Sequence, residues 1–168
     1  WEVPASEATA VRGRWCPGPG EALFDALARA LGELPIIAED LGVITPDVVA
    51  LRRKYDFPGM CILQFAFDAD ATNPYLPHHH EHERVVYTGT HDNDTTAGWW
   101  DKASEREKHL ARAYLDTDGR EMPWTLIRSA MASVADTAVI PLQDVLTLPS
   151  DCRMNYPGEP NGWWSWRF

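Results

Sequence analysis

Two acidic clusters stand directly behind apolar runs. Ile36-Ile37-Ala38 leads into Glu39-Asp40-Leu41-Gly42, and Val85-Val86-Tyr87 leads into Thr88-Gly89-Thr90-His91-Asp92-Asn93-Asp94. In parallel α/β folds the loops at the C-terminal strand ends converge on the active site, so Glu39 and Asp92 are expected to face one cavity. Two carboxylates across a cavity suit glycosidic-bond chemistry. One, with a raised pKa, protonates the leaving oxygen; the other stays ionised and attacks or stabilises the sugar cation. The eight Trp among 168 residues fit a sugar ligand, because indole faces stack on the apolar faces of sugar rings. A plainer reading stands beside this one: Glu39 and Asp40 cap the turn that follows them.

His91-Asp92 admits a second chemistry. Such a pair on a barrel can bind a metal, as in metal-dependent hydrolases, and His78-His79-His80-Glu81-His82-Glu83 could add ligands. That histidine run lies in a loop after Pro77 and lacks the spacing of a structural site. A solvated loop that takes up metal adventitiously is the expectation, with no functional metal. Arg153-Met154-Asn155-Tyr156-Pro157-Gly158 and the aromatic stretch ending Gly162-Trp163-Trp164-Ser165-Trp166-Arg167 also divide two ways. They form either a Pro/Gly loop with an aromatic core plug, or an amide and indole faces lining a sugar cleft. Trp99-Trp100 is expected in the core.

The elements that must position these residues alternate. Residues 21–31 read as a helix stopped by Gly32, and Thr45-Pro46-Asp47 starts another that runs to about Tyr55. Strands are expected at 35–38, 60–67, 84–88 and 138–142, helices at 104–115 and 124–135, and a long polar loop at 68–83. Continuous apolar strands separated by helices indicate a parallel sheet covered on both faces. Four strands in this length correspond to half of a (β/α)8 barrel; a doubly wound open sheet is the alternative, though the glycine fingerprint of a dinucleotide site is absent.

Composition narrows the classes. With 15 Lys+Arg against 25 Asp+Glu the net charge is −10, which argues against a nucleic-acid groove. An apolar content of 45% argues against disorder, and no apolar run approaches the ~20 residues of a membrane span. Three scattered cysteines make no disulfide framework and suit a reducing, cytoplasmic setting. No signal peptide is read at the N-terminus, and both ends read as cuts through a longer protein.

Several motifs together resemble one family. Pro35-Ile-Ile-Ala-Glu-Asp-Leu-Gly-Val-Ile-Thr-Pro, Phe57-Pro-Gly-Met, Leu63-Gln-Phe-Ala-Phe, Asn73-Pro-Tyr-Leu-Pro, Val86-Tyr-Thr-Gly-Thr-His-Asp-Asn-Asp-Thr and Arg153-Met-Asn look like 4-alpha-glucanotransferases, the amylomaltases or disproportionating enzymes related to α-amylases. Gly13-Arg-Trp and Gly18-Pro-Gly fit as well, so the resemblance runs in order over essentially the whole chain.

The resemblance implies the C-terminal half of a (β/α)8 TIM barrel, with four parallel strands and covering helices. It implies retaining transfer of α-1,4-glucan segments to an acceptor sugar through a glycosyl-enzyme ester, with maltooligosaccharides as substrates and no cofactor, nucleic acid or membrane. By position, Glu39 is the general acid/base, partly screened from water and so held protonated, and Asp92 is the transition-state stabiliser. His91 would hydrogen-bond the same sugar, and Phe65, Asn93 and Asn155 match sugar-contacting positions. The local reading of Asp92 as a nucleophile is thereby replaced. The family's nucleophile is another Asp, in an Asp-His-Phe-Arg-Gly-type motif upstream of the Trp that matches Trp1. Residues 1–168 are therefore expected to be one partial barrel domain that is inactive alone, lacking the barrel's N-terminal half and a short C-terminal extension. A glucan-binding module without turnover is the alternative from another functional class, and a metal-dependent barrel hydrolase is a third.

Overall fold

Apolar spacing and terminal breakers set the first helices. α1 (Glu21–Leu31) ends at Gly32, whose φ of 79° lies in the left-handed region that favours glycine. α2 (Pro46–Lys54) has Pro46 in its first turn, as the sequence indicates, but Thr45 caps differently. Its hydroxyl donates to the Asp47 carboxylate instead of accepting a main-chain N–H. The computed structural model describes residues 1–168, and both helices belong to the first of two units, Trp1–Ile36 with Ile44–Phe57. Within it Phe24, Tyr55 and Phe57 pack ring against ring, and Tyr55 Oη donates to Asp25 Oδ1 at 2.7 Å.

The second unit, Ile37–Val43 with Pro58–Phe168, carries the sheet. β1 (Gly59–Ile62), β2 (Arg84–Tyr87) and β3 (Thr137–Val139) lie parallel in that order, with Met60 opposite Val85 and Val85 opposite Thr137. Parallel pairing requires crossovers. The β2–β3 connection contains α3 (Thr96–Lys102), α4 (Glu105–Leu115) and α5 (Met122–Met131), and α6 (Leu142–Val145) follows β3. α4 begins with a capping box: Glu107 N donates to Ser104 Oγ at 3.2 Å, and Ser104 N donates to the Glu107 carboxylate at 2.8 Å. The core between sheet and helices holds Leu63, Phe67, Val86, Met122 and Leu126, all essentially buried. Burial of each such side chain stabilises by about 1.5–3 kcal/mol. Trp99 and Trp100 pack against this core. No helix is long and apolar enough to cross a membrane.

The sheet has three strands, not the expected four. Residues 35–38 do not join the ladder: Ile36 N donates to the Leu34 carbonyl at 2.9 Å and Asp40 N to the Ala38 carbonyl at 3.1 Å, two γ-turns that break the strand conformation. Pro35 lacks an N–H, and the contacts to the β1 segment are Ala38 N donating to the Pro58 carbonyl at 2.8 Å and Met60 N donating to Asp40 Oδ1 at 2.7 Å. A side-chain carboxylate occupies the place that a main-chain carbonyl would take in a strand. The expected strand at 60–67 begins at Gly59 and gives way to a 3-10 turn, Leu63–Phe65. That turn re-aims Gln64, whose Nε2 donates to the Asp94 carbonyl at 3.0 Å. The last strand is also shorter than 138–142, because Pro141 precedes a helix that sequence periodicity does not reveal in four residues.

Candidate active site

One open cavity of about 700 Å³ lies at the C-terminal ends of the strands. Glu39, Phe65, Tyr87, His91, Asp92 and Asn93 all line it. Asn155 reaches it through Asp92, to whose Oδ1 its Nδ2 donates at 2.7 Å. The cavity thus gathers the six residues singled out in the sequence, though each is held differently.

Glu39 sits at the centre of a γ-turn closed by Asp40 N, which donates to the Ala38 carbonyl at 3.1 Å, and the two acids have different surroundings. Asp40 is nearly buried and accepts from Arg84 Nη1 at 2.7 Å as well as from Met60 N. Gly59 makes this pairing possible, because a Cβ there would collide with both the Asp40 carboxylate and the Arg84 guanidinium. Glu39 instead faces the cavity. It is exposed, so the screening from water expected for it does not come from this chain. Tyr87 lies across from it: burial, and then the Glu39 carboxylate, push the phenol's pKa above its usual range.

The loop after β2 is fixed at both ends. Asp144, 1% exposed, accepts from Thr88 Oγ1, from Thr96 N at 2.6 Å and from Thr96 Oγ1 at 2.8 Å. In the middle, Asn93 Oδ1 accepts from Thr90 N at 2.9 Å and Thr90 Oγ1 at 2.8 Å. That oxygen is therefore committed to the turn, which leaves the Nδ2 of Asn93 to the cavity. His91 Nε2 lies 3.5 Å from Asp92 Oδ2, and its ring rests on Trp164 at a centroid distance of 5.2 Å. Trp164 takes a left-handed backbone (φ 63°), a conformation that costs an aromatic residue roughly 1–2 kcal/mol. Its N–H donates to the Met154 carbonyl at 2.7 Å. Phe65 is partly exposed and braced edge-on by Tyr75 at 5.5 Å.

Asp94 faces a cluster of donors. Lys102 Nζ donates to its Oδ2 at 2.6 Å and Ser150 Oγ at 2.8 Å. Burial alone would push the Asp94 carboxyl up, but Lys102, Ser150 and Arg153 outweigh it and leave the pKa below the ordinary 3.8. From the sequence, Arg153 is named only as part of its loop and motif, and Asp144 is given no part. The Arg153-Met-Asn155 spacing is a usable signal, since residues i and i+2 of an extended segment point the same way. Asp144, inside an unrecognised four-residue helix, gives no comparable signal.

The histidine run does other work. His78 Nδ1 pairs with Tyr114 Oη at 2.8 Å, His79 Nε2 pairs with the Ala71 carbonyl at 2.9 Å, and His80 spans Ser133 Oγ and the Tyr75 carbonyl. No group of three or more His, Cys, Asp or Glu side chains is placed to hold a metal ion.

Fold and site together define a class: a parallel α/β chain whose loops gather two carboxylates, an imidazole, amides and aromatic rings at the strand ends. The chain belongs to the 4-alpha-glucanotransferase family, whose glycoside hydrolase 77 description matches residues 1–168. It is 56% identical over 168 residues to the 4-alpha-glucanotransferase, chloroplastic/amyloplastic, of Solanum tuberosum, covering 99% of this chain and 29% of that protein. To the 4-alpha-glucanotransferase of Thermus thermophilus it is 55% identical over 175 aligned positions, covering 99% of this chain and 35% of the relative. Among solved structures, an amylomaltase from Streptococcus agalactiae in complex with acarbose superposes with a TM-score of 0.88 at 37% identity, over 93% of this chain and 32% of that one. The chain therefore spans about a third of the length of these relatives.

Proposed function

We propose that this chain is the acid/base-bearing portion of a retaining 4-alpha-glucanotransferase that moves α-1,4-glucan segments onto an acceptor sugar. One observation carries the reading: Glu39 and Asp92 line one cavity in a chain of this family, while the neighbouring acids Asp40 and Asp94 are consumed by cations. Glu39, free of hydrogen-bond partners, protonates the leaving glycosidic oxygen and later takes a proton from the acceptor hydroxyl. A glucan filling the cavity would supply the screening that its exposed carboxyl otherwise lacks. Asp92, oriented by Asn155, faces the developing oxocarbenium charge, and His91 and the Asn93 amide take up ring hydroxyls. Phe65 offers an apolar face.

The covalent step needs a third carboxylate as nucleophile, and we place it outside residues 1–168. The three parallel strands then belong to the C-terminal half of a (β/α)8 barrel. Two features support this: the sheet is open, with β3 paired on one side only, and Ala38 and Asp40 contact the start of β1 on the side away from β2, through the Pro58 carbonyl and the Met60 N–H. Three cysteines far apart in the chain, Cys16, Cys61 and Cys152, suit a reducing compartment, and we propose the cytoplasm. The test is an assay of glucose release from maltotriose. The purified chain 1–168 is expected to release none above the substrate blank, whereas turnover by this chain alone would refute an external nucleophile.

A further inference from the structure

Two loops meet at Asp92: the one after β2, and the one running from Ser150 to Tyr156. A single guanidinium joins them. Arg153 donates from Nη2 to the Asp92 carbonyl at 2.8 Å and from Nε to the Asn155 carbonyl at 2.6 Å. Its Nη1 lies 4.0 Å from Asp94 Oδ2, and its plane covers the Tyr156 ring at 4.5 Å. The side chain is 10% exposed, so these contacts form where water competes poorly. Arg153 thereby grips the main chain on both sides of the Asn155–Asp92 hydrogen bond. That bond matters because the Asp92 side chain is 48% exposed and its other neighbour, His91 Nε2, stands 3.5 Å from Oδ2.

We propose that Arg153 is a positioning residue that sets the Asp92 carboxylate for the glycosyl-transfer transition state by fixing Asn155 against it. The proposal rests on Asp92 being the stabilising carboxylate. Its physical basis is the planar fork. A guanidinium reaches two carbonyls in fixed directions while keeping a face for Tyr156, and an ammonium cannot reproduce that geometry. Asp94, held by Lys102 and Ser150, anchors the strap from behind. Displacing a reacting group by about 1 Å costs on the order of 10²-fold in rate, so the strap should act on turnover and leave ground-state binding alone.

The experiment is a double-mutant cycle in the full-length protein that contains this sequence, with Arg153→Lys, Asn155→Ala and the pair, reading kcat and KM on maltotriose. Arg153→Lys is expected to lower kcat by about tenfold to a hundredfold with KM within about threefold of the parent. The double variant should be no slower than the slower single one, because both changes break the same contact. Parent-like kcat in Arg153→Lys, or losses that multiply in the pair, would overturn the proposal. Should the Lys variant fail to fold, Tyr156→Leu at a half-exposed position enters the same cycle with the same expectation. Asp92→Asn serves as the control. If it is inactive while Arg153→Lys is normal, the positioning role alone fails; if it is active, the functional reading fails with it.

Discussion

The two rims of the cavity carry the same kind of sequence and are built in opposite ways. Each pairs a committed acid with an uncommitted one. On the first rim Asp40 is bound to Arg84 and the Met60 amide, leaving Glu39 unpartnered on a turn outside the sheet. On the second, Asp94 is bound to Lys102 and Ser150, leaving Asp92 to the cavity, but here Asn155 and Arg153 hold Asp92 from a second loop. The difference fits the two tasks proposed for them. A general acid/base must change its protonation twice in a cycle, and fixed donors around its carboxylate would oppose that. A charge stabiliser must stay ionised and in place, and donors help it.

Breaking the uncommitted acids should have the largest effect. In the full-length protein, Glu39→Gln and Asp92→Asn should each lower maltotriose disproportionation by about 10³-fold or more with the melting temperature retained. Near-normal rates in either would remove its assigned task. Breaking a committed acid should reverse the pattern. Asp94→Asn is expected to cost about 1–2 kcal/mol in urea unfolding, from the loss of a charged partner, with a far smaller drop in rate than Asp92→Asn. An equal drop in rate would erase the distinction between the two acids.

A smaller, pH-dependent effect sharpens the same contrast. The folded Asp94 carboxyl titrates below its ordinary 3.8, so as pH falls the unfolded chain takes up the proton first. Its stabilisation is complete above the unfolded value and is lost as pH falls through the folded one. The stability gap between the parent and Asp94→Asn should therefore be full at about pH 6 and shrink by about pH 3. A gap that widens in acid would contradict the sign.

Much of this was legible in the residues. Gly32 and Pro46 mark helix ends through backbone constraints that depend on no distant contact. The second acidic cluster is legible because a polar run after an apolar one marks the end of β2; the first follows residues 35–38, which stay outside the sheet although their apolar run reads as a strand. What escaped depends on partners far along the chain. Nothing near Asp40 announces Arg84, so the carboxylate that replaces a strand bond at Met60 could not be foreseen. α3 and α6 are too short for a period to emerge, and Asp144 finds Thr88 and Thr96 only after folding. The resemblance matches Asn93 to a sugar-contacting position, and nothing in the residues announces that its Oδ1 also closes its own turn on Thr90.

The central claim is that Glu39 is the acid/base and that the sugar ester forms outside these residues. Incubating full-length Glu39→Gln with an α-maltotriosyl fluoride tests it directly, because fluoride leaves without an acid while the second step still lacks its base. Peptide mass spectrometry should find the trapped glycosyl group on a carboxylate N-terminal to Trp1. A glycosyl ester on Asp92, or on any other acid within residues 1–168, would contradict the account.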